Sequence, residues 1–549
     1  MRKIFNIALA ACLLTISHDG YADTYPKNLS VDIIHYAFEL KLSDLSNEIK
    51  GKTTISFLSK SDNVKTIRLD LINQSEKFSN KGMIVDRVSL GNVEVKFTHK
   101  HDALIIEWPA ALKKDAKADL SIEYHGIPAG GLKIGPTKFG DRSFFNENWP
   151  NLTRHWLPCI DHPYDKATSE FRVTAPRHYK VVSNGLLLEE SNIDKENNFT
   201  HWKQSVPVSS WLFVLGVAEF AVQRVGTFDG KEIQTWVYPK NKEIGFFDFA
   251  EPTKQVLEFY SNYVGPFAYE KLANIQSPSV GGGMETSSAI FYGENLITGK
   301  YEKRLRNVVI HEIAHQWFGN AVTESTWDDA WLSEGFATFF SMLFQGYAYG
   351  HEEFITGMKN ARRTVFNISK KDSTYSIVAN RSAEKDQVTT GITYQKGAWV
   401  LHMLREKIGH DNFRKGIRNY YAKYFNSNAT TDNFREEMEK VSGLDLSVFF
   451  NQWLYKPENL KLSIAWTYDA TAKNVMLTIK QIHHTNLVFD FPLELEIHHP
   501  ETNSPELMKF NINQKETVIP IKYDKTPSYI RFDPRTVLLA ELEITHPPR

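Results

Sequence analysis

The sequence is poor in cysteine. Its two cysteines are Cys12, close to the N-terminus, and Cys159. If the N-terminal segment is removed, Cys159 is left alone and an intramolecular disulfide is excluded. Stability must then come from core packing, which a chain of 549 residues permits. We expect Cys159 to be a small buried hydrophobic residue without a catalytic role.

Net charge and long apolar runs are also scarce. The 64 Lys and Arg residues nearly balance the 65 Asp and Glu residues, and the formal net charge is −1. This balance gives no reason to expect a nucleic acid or an anionic membrane as a partner. Beyond its N-terminal segment, the sequence has no uninterrupted apolar run of about 18 residues, so we expect no transmembrane segment after that point.

The N-terminus has the parts of a secretory signal peptide. A basic start at Arg2 and Lys3 precedes a short apolar stretch, residues 4–16, and Gly20-Tyr21-Ala22 is a candidate cleavage site before Asp23. We therefore predict that residues 1–22 are a signal peptide and that the protein is exported, to the periplasm or out of the cell.

An alternative is a lipoprotein anchored through Cys12. The residues before it, Leu9-Ala10-Ala11, resemble a bacterial lipoprotein box. The apolar run continues past Cys12 to Ile16, which favours the cleaved signal peptide over the lipid anchor.

Sequence periodicity divides the rest of the chain into three parts. From about residue 32 to 222, short alternating segments between Gly, Asn and Asp turns predict β-strands. From Arg304 on, helical spacing dominates, and Thr430 is expected to cap the helix that starts at Thr431. Strand patterns return after Pro457. We predict an α+β multidomain fold with domains at 24–225 (β), 226–456 (mostly helical) and 457–549 (a small β-sandwich).

One pentapeptide in the helical part has the spacing of a metal site. In His311-Glu312-Ile313-Ala314-His315 the histidines lie one helical turn apart, so both imidazoles can reach one metal ion. Glu312 lies beside them, where its carboxylate can reach a water molecule without being a ligand. Glu334 follows His315 after eighteen residues, on a second predicted helix, and is the expected third ligand. Three protein ligands and one open position are typical of catalytic zinc, so we predict a hydrolase site with one zinc ion per chain.

Two other segments are candidates for a substrate site. Gly281-Gly282-Gly283-Met284-Glu285 precedes the zinc helix; its glycines let a ligand approach the backbone, and the carboxylate could hold an amine. By itself the segment fits a plain glycine turn with a solvated glutamate better than a binding site. Tyr394, in Tyr394-Gln395-Lys396-Gly397, opens a later helix, but a lone tyrosine is usually a core or surface residue.

These motifs, in this order, resemble the gluzincin aminopeptidases, the family that includes aminopeptidase N and leukotriene hydrolase. The resemblance rests on Gly-Gly-Met-Glu at 282–285, His-Glu-x-x-His at 311–315, Trp-Leu-Ser-Glu-Gly-Phe-Ala at 331–337 and Tyr-x-Lys-Gly at 394–397. Leu-Pro-Cys-Ile-Asp-His-Pro at 157–163 also resembles the family's N-terminal domain. The resemblance extends from about residue 30 to the end of the sequence.

The resemblance implies a saddle-like N-terminal β domain, a thermolysin-like catalytic domain and a small C-terminal β-sandwich. It implies a zinc-dependent aminopeptidase that acts on peptides with a free N-terminus. The implied site residues are the zinc ligands His311, His315 and Glu334, the general base Glu312, the oxyanion donor Tyr394, and the substrate-binding residues Gly282, Gly283, Met284 and Glu285, of which Glu285 holds the substrate's α-amine.

Two positions depart from the family pattern. Thr286 stands where the family usually has asparagine, and threonine offers one hydroxyl in place of an amide donor and acceptor. The family's second amine-binding residue, expected a few residues before Arg154, does not align cleanly. Glu147 and Asn148 both remain candidates for that role.

Two other functions would use the same residues. A leukotriene-hydrolase-like epoxide hydrolase would have the same zinc site, and only substrate assays would separate it from an aminopeptidase. A catalytically weak peptide-binding protein would keep the fold, but the presence of all three ligands, the base and the tyrosine argues against it. The sequence does not determine the preferred N-terminal residue or the oligomeric state.

Overall fold

A computed structural model describes residues 23–378, 388–499 and 505–545. The predicted signal peptide, including Cys12, lies outside the described residues. No helix in the described part of the chain is both long and apolar enough to cross a membrane.

The N-terminal part is a β domain, as predicted. Its fifteen strands form an eight-stranded sheet, in the order β13-β14-β11-β1-β2-β8-β4-β5, a four-stranded sheet (β12-β15-β10-β9) and a three-stranded sheet (β3-β7-β6). The strands are β1 Val31–Lys41, β2 Ile49–Ser59, β3 Val64–Asp70, β4 Gly82–Leu90, β5 Val93–Glu94, β6 Lys96–Lys100, β7 Ala103–Leu112, β8 Lys117–Ile127, β9 Leu132–Pro136, β10 Arg142–Asn146, β11 Ala167–Pro176, β12 Lys180–Ser183, β13 Leu186–Asn192, β14 Asn197–Val208 and β15 Leu215–Ala218.

Period-two alternation fixes the register of the central strands of this domain. Residues on β2 alternate between buried and partly exposed positions, and Ile55 pairs with Tyr36 of β1 in an antiparallel ladder. A shift by one residue would turn the buried face to solvent, so burial specifies the pairing. Cys159 is buried beside this core, as expected, and is not part of a disulfide.

The middle of the chain combines a five-stranded sheet with a set of helices. The sheet has the order β16-β17-β18-β20-β19, so β19 is an edge strand. The elements are β16 Ala221–Phe228, β17 Lys231–Val237, α1 Lys242–Asp248, α2 Thr253–Tyr263, β18 Lys271–Ser277, β19 Gly283–Met284, β20 Ala289–Gly293, α3 Lys303–His315, β21 Val322–Glu324, α4 Trp331–Tyr349, α5 His351–Ser369, α6 Gly391–Ile408, α7 His410–Lys423, β22 Ser427–Ala429, α8 Thr431–Ser442 and α9 Ser447–Phe450.

The helix boundaries refine the predictions made from the sequence. Thr430 caps α8, as expected, and its side chain accepts a hydrogen bond from the backbone of Asn433. Gly319-Asn320 after the zinc-binding motif is a typical helix stop signal and predicts a helix that runs to this point, but α3 ends at His315. The apolar spacing of residues 444–455 before Pro457 predicts one further helix; the structure has a single α turn there, α9, continued by a π-helical turn at Asn451–Tyr455. The predicted domain boundary at 225/226 falls inside β16, which pairs with β17.

Two glycines allow α4 and α6 to pack unusually closely. A Cβ atom added to Gly335 would lie 3.0 Å from the Cα atom of Gly397, and one added to Gly397 would lie 2.9 Å from the Cα atom of Gly335. Larger residues at either position would push the helices apart. This contact brings the first turns of the two helices, which carry Glu334 and Tyr394, next to each other.

The C-terminal part forms the expected two small sheets. Their orders are β27-β24-β23-β29 and β26-β25-β28. The strands are β23 Leu460–Asp469, β24 Asn474–Gln481, β25 Phe491–His498, β26 Glu506–Ile512, β27 Glu516–Lys522, β28 Tyr529–Phe532 and β29 Ala540–Thr545. Alternating residues of β23 and β24, such as Leu462 and Leu477, are fully buried, as a sandwich requires.

Candidate metal centre and substrate cleft

The structure brings the three predicted metal ligands together. The Nε2 atoms of His311 and His315 are 3.1 Å apart. Oε2 of Glu334 lies 3.5 Å from the His311 nitrogen and 3.2 Å from the His315 nitrogen. Tetrahedral ligands at zinc-like distances of about 2.0–2.1 Å are separated by about 3.3 Å, so this triangle has the dimensions of one face of a zinc site.

A second shell orients His315 for metal binding. Its Nδ1 atom lies 3.1 Å from the carbonyl oxygen of Phe318, to which an Nδ1–H donates. Nε2 then keeps its lone pair and points toward the other two ligands. The hydroxyl of Ser333 lies 3.0 Å from the same Nδ1 atom, and Ser333 directly precedes Glu334. Outer partners of this kind fix the ring orientation of metal-binding histidines.

One ligand atom has no hydrogen-bond donor. Oε2 of Glu334 is buried, and no group among the described residues donates a hydrogen bond to it, whereas Oε1 accepts one from Tyr394. An ionised carboxylate oxygen removed from water is costly unless a cation or donor compensates it. Two imidazole nitrogens beside this oxygen form the donor set that divalent zinc prefers, so the three residues fit that metal.

Glu312 lies on the metal-binding helix α3, next to the ligand His311 in sequence. Its side chain is buried, and burial, followed by the charge of Glu285, raises its pKa well above the ordinary value. The backbone of Gly283 passes directly over it: a Cβ atom at position 283 would overlap the Glu312 carboxylate. Added Cβ atoms at Gly281 and Gly282 would meet nothing within 4 Å. Only the third glycine of the run is therefore required by close approach to the catalytic helix.

Glu285 enters the same cluster from the end of β19. Its carboxylate lies 4.0 Å from Nδ1 of His315, and its backbone oxygen accepts hydrogen bonds from Gln316, at 2.9 Å, and Asn320, at 2.6 Å. The glycine loop is thus fastened to the end of the metal helix. Burial raises the pKa of Glu285 to about 7, although the charge of His315 opposes the shift. An added positive charge in the cleft would stabilise the ionised form.

Tyr394 reaches the metal ligands from the first turn of α6. Its hydroxyl donates a hydrogen bond of 2.5 Å to Oε1 of Glu334, and its ring stacks near the ring of His311 with centroids 6.1 Å apart. Burial and the charge of Glu334 raise the pKa of this phenol, so it is a proton-bearing donor at neutral pH. Because its hydroxyl contacts a predicted metal ligand, Tyr394 is not an ordinary core residue.

The two residues considered for amine binding have different surroundings. Asn148 is fully buried inside the β domain; its amide accepts a hydrogen bond from Trp156 and donates one to the backbone of Phe213. Glu147 is half-buried, and its negative charge is the smallest of the contributions to the raised pKa of Glu285. The structure favours Glu147 over Asn148 as a cleft residue.

Thr286 has a structural partner within its own loop. Its side chain is fully buried, and its hydroxyl donates to the backbone oxygen of Ala289. The hydroxyl therefore closes the turn between β19 and β20. The departure from the family's asparagine accompanies a local hydrogen bond of the turn.

Glu324, which ends β21, is a buried residue that the sequence did not predict. It is fully buried, and neither of its carboxylate oxygens has a hydrogen-bond partner among the residues that the structure describes. Burial raises its pKa to about 8, and the charges of Glu334 and Glu285 act in the same direction. A single glutamate in a three-residue strand gives no signal in the sequence; only the fold brings it near the centre.

The comparisons with known proteins assign the chain to a family. The model of the peptidase M1 N-terminal domain matches residues 33–212, and the model of the peptidase family M1 domain matches residues 249–453. Together these two matches span most of the chain and include His311, Glu312, His315, Glu334 and Tyr394. The chain belongs to peptidase family M1, as the resemblance to gluzincin aminopeptidases implied.

Several curated relatives and a solved structure are similar to this chain. Glutamyl aminopeptidase of Rattus norvegicus is 28% identical over 478 residues, 81% of this chain and 49% of the relative. Leucyl aminopeptidase of Saccharolobus solfataricus is 30% identical over 365 residues, 63% of this chain and 45% of the relative. The chain spans half or less of the length of these relatives. An M1 zinc metallopeptidase mutant from Deinococcus radiodurans shares the fold, with a TM-score of 0.65 and 21% identity over 78% of this chain and 94% of that one.

Proposed function

We propose that this protein is a zinc-dependent aminopeptidase that removes single residues from the free N-terminus of peptides. The observation that carries the proposal is one buried cluster. It joins a zinc-sized ligand triangle to two further carboxylates, of Glu312 and Glu285, within the cleft beside β19. Membership of the M1 family and its relatives, a glutamyl and a leucyl aminopeptidase, support the same reaction.

The metal ligands in this proposal are His311, His315 and Glu334. Zinc bound there would act as a Lewis acid toward the scissile carbonyl and would make water a stronger acid. The protein's task is to hold the three ligands rigidly. The close packing of α4 against α6 and the hydrogen bonds of His315 serve that task.

Glu312 is the general base in the proposed reaction. Its carboxylate accepts a proton from the attacking water and passes that proton to the departing amine. The raised pKa of this buried side chain suits a group that must both accept and return a proton. Tyr394 donates its hydroxyl hydrogen bond to the oxygen on which negative charge develops, so its effect is largest in the transition state.

Glu285 makes the reaction an exopeptidase reaction in this proposal. Its carboxylate pairs with the α-ammonium group of the substrate, and Glu147 adds a second negative charge on the same side. This pairing fixes the first residue, so that the first peptide bond lies over the metal ligands. Gly282, Gly283 and Met284 line the approach with backbone groups of an edge strand, where an extended peptide can align.

We also propose that the protein is exported, because residues 1–22 have the composition of a signal peptide. Fractionation of cells that produce the full-length chain tests this point. Activity in the periplasm or the medium supports it, and activity retained in the cytoplasm contradicts it. A membrane-bound, lipid-modified product would instead favour the anchor at Cys12.

A panel of aminoacyl amides and peptides tests the enzymatic proposal. Purified protein should cleave free aminoacyl substrates, lose activity with a chelator and regain it with zinc. N-acetylated peptides lack the ammonium group and should be poor substrates, because Glu285 would be left buried and unpaired. Changing Glu285 to Ala should raise KM, lower kcat and reduce the preference for a free amine. Efficient cleavage of acetylated peptides at internal bonds would contradict the proposal and favour a zinc endopeptidase.

A further inference from the structure

The first described residues of the chain are packed against the β domain. The carboxylate of Asp23 pairs with Nε2 of His162, and its side chain is only 6% exposed. Tyr25 stacks on the ring of His162, with centroids 4.5 Å apart, and its hydroxyl donates to Asp70. His162 belongs to the Leu-Pro-Cys-Ile-Asp-His-Pro segment, which the proposed catalytic reaction does not use.

The same residues also contact the catalytic domain. The backbone nitrogen of Asp23 lies 3.2 Å from Oδ2 of Asp328, and Nζ of Lys27 donates to the backbone oxygen of Ser325 at 3.1 Å. Asp328 lies in the short helical turn Trp327–Asp329, immediately before α4, the helix that carries Glu334. The segment that begins at Asp23 therefore joins the β domain to the start of a metal-binding helix.

The contact with Asp23 provides a hydrogen-bond donor for only one of the two carboxylate oxygens of Asp328. Its Oδ1 atom is buried and has no hydrogen-bond partner among the described residues. Burial raises the pKa of Asp328 to about 6, with the charges of Asp23 and Asp329 acting in the same direction. A peptide N–H offers one hydrogen and no net charge, so it leaves one oxygen of this carboxylate without a donor, and the charge of Lys27 offsets the raised pKa only in part.

An α-ammonium group on Asp23 would supply Asp328 with a further hydrogen-bond donor and a positive charge. Hydrolysis of the bond between Ala22 and Asp23 consumes one water molecule and leaves a carboxylate on Ala22 and an amine on Asp23, which takes a proton at neutral pH. That ammonium has three hydrogens and one positive charge at the position of the present N–H. It can therefore donate to both oxygens of Asp328 in a charge-assisted pair.

We propose that removal of residues 1–22 creates an N-terminal ammonium group on Asp23 that forms a partly buried ion pair with Asp328. The new N-terminus then fastens the β domain to the turn that precedes the metal-binding helix α4. The unprocessed chain lacks this pair. The inference rests on the proposed export of the protein and does not depend on which substrate the enzyme cleaves.

The first experiment locates the new N-terminus. The full-length chain is produced with its own leader, and the mature protein is examined by intact mass and N-terminal sequencing. We expect a chain that begins at Asp23. A mature chain with a different first residue overturns the inference, while the aminopeptidase activity of that chain, measured on aminoacyl amides, reports separately on the proposed function.

The second experiment measures the ion pair directly. The α-amine of the chain that begins at Asp23 is titrated by trace acylation over a range of pH. We expect a pKa above the ordinary α-amino range of about 7.7–8.0. Asp328→Asn should return the pKa to that range. Asp32→Asn, which removes an exposed carboxylate of the β domain, should leave the pKa of the α-amine raised. Equal titration in the wild-type and Asp328→Asn proteins overturns the inference.

A third measurement covers the case in which Asp328→Asn does not fold. A wild-type chain extended by Gly-Ser before Asp23 keeps every side chain but moves the ammonium group away from Asp328. We expect the extended chain to unfold at a temperature lower by about 1 °C and to be cleaved faster by a protease near residue 23. Identical melting and proteolysis of the two chains contradict the ion pair.

Discussion

The metal centre and a cluster in the β domain both contain buried carboxylates. The second cluster consists of Arg154, Asp161 and Ser210, and we call it the Arg154 cluster. The two regions differ in how the negative charge of the carboxylate is compensated. In the β domain, Oδ2 of Asp161 accepts hydrogen bonds from the backbone nitrogen and Nε of Arg154, both at 3.0 Å, and Oδ1 accepts one from Ser210 at 2.9 Å. At the metal centre, Oε2 of Glu334 has no donor among the described residues. The carboxylate of Asp161 finds all its hydrogen-bond donors and its cation within the chain, whereas the carboxylate of Glu334 needs a cation from outside.

This difference separates structural from functional burial of charge. A buried ion pair with all its hydrogen bonds made holds two segments together and needs no ligand. Several carboxylates that face one another without a fixed arginine or lysine are stable only when a metal ion or a substrate ammonium arrives. The two regions therefore predict opposite results: substitution at the centre should affect turnover, and substitution in the Arg154 cluster should affect stability.

The largest expected effect is on turnover in Glu312→Gln. An amide can neither accept the water's proton nor return it, so we expect kcat to fall by about 10⁴-fold, the upper end of general acid–base contributions. Zinc content and melting temperature should stay close to those of the wild type. His315→Ala is the matched contrast, since it should lose zinc itself. Substantial turnover in Glu312→Gln would remove this carboxylate from the mechanism.

Arg154→Met tests the other region. The guanidinium group is only 18% exposed, and its loss leaves Asp161 buried without its cation. Breaking such a pair costs about 3–5 kcal/mol of stability, which would appear as a lower denaturation midpoint. The control is Arg172→Met, whose partner Glu170 lies 2.8 Å away but whose side chain is 39% exposed; about 0.2–1 kcal/mol is expected there. Equal effects of the two substitutions would contradict the comparison.

Tyr394→Phe should lower kcat by about 10²–10³ with little change in KM, because its hydroxyl acts mainly on the developing oxyanion. The fold should be unaffected, since the ring and its contact with His311 remain. Tyr375→Phe serves as a control, because it removes another tyrosine hydroxyl that contacts the first turn of α6. The hydroxyl of Tyr375 lies 2.9 Å from the hydroxyl of Thr393, and kcat should stay near the wild-type value in this variant. A wild-type kcat in Tyr394→Phe would make this tyrosine a structural residue.

Much of the centre was predictable because local spacing encodes it. The histidines are four residues apart on one helix, so their convergence follows from helix geometry alone. Glu334 was expected as the third ligand from its place on a following helix, and the role of Tyr394 came only from the resemblance. The approach of both side chains depends on the contact between Gly335 and Gly397, residues of different helices. The three-domain architecture followed from the change of periodicity along the chain.

Other features could not be predicted because they depend on distant partners. The buried state of Glu324 and the pairing of Asp23 with Asp328 join segments that are far apart in sequence. The early end of α3 and the π-helical turn at Asn451–Tyr455 are not indicated by the local sequence pattern. Single glycines look alike in sequence, and the fold alone distinguishes Gly283 from its two neighbours.

The smallest effect is expected in the glycine run, and it tests whether the centre depends on close packing as well as on charge. Gly283 has an ordinary backbone conformation, so alanine is allowed there by the backbone but not by the Glu312 carboxylate below it. Gly283→Ala should displace the general base by about 1 Å, and a displacement of this size costs about 10²-fold in turnover. Gly282→Ala adds the same methyl group where nothing lies within 4 Å, and its kcat should stay near the wild-type value. Zinc content should be unchanged in both variants, because neither glycine supplies a metal ligand. If both variants lost activity equally, the loop would act through its flexibility or its contact with substrate, and the close approach to Glu312 would have no special role.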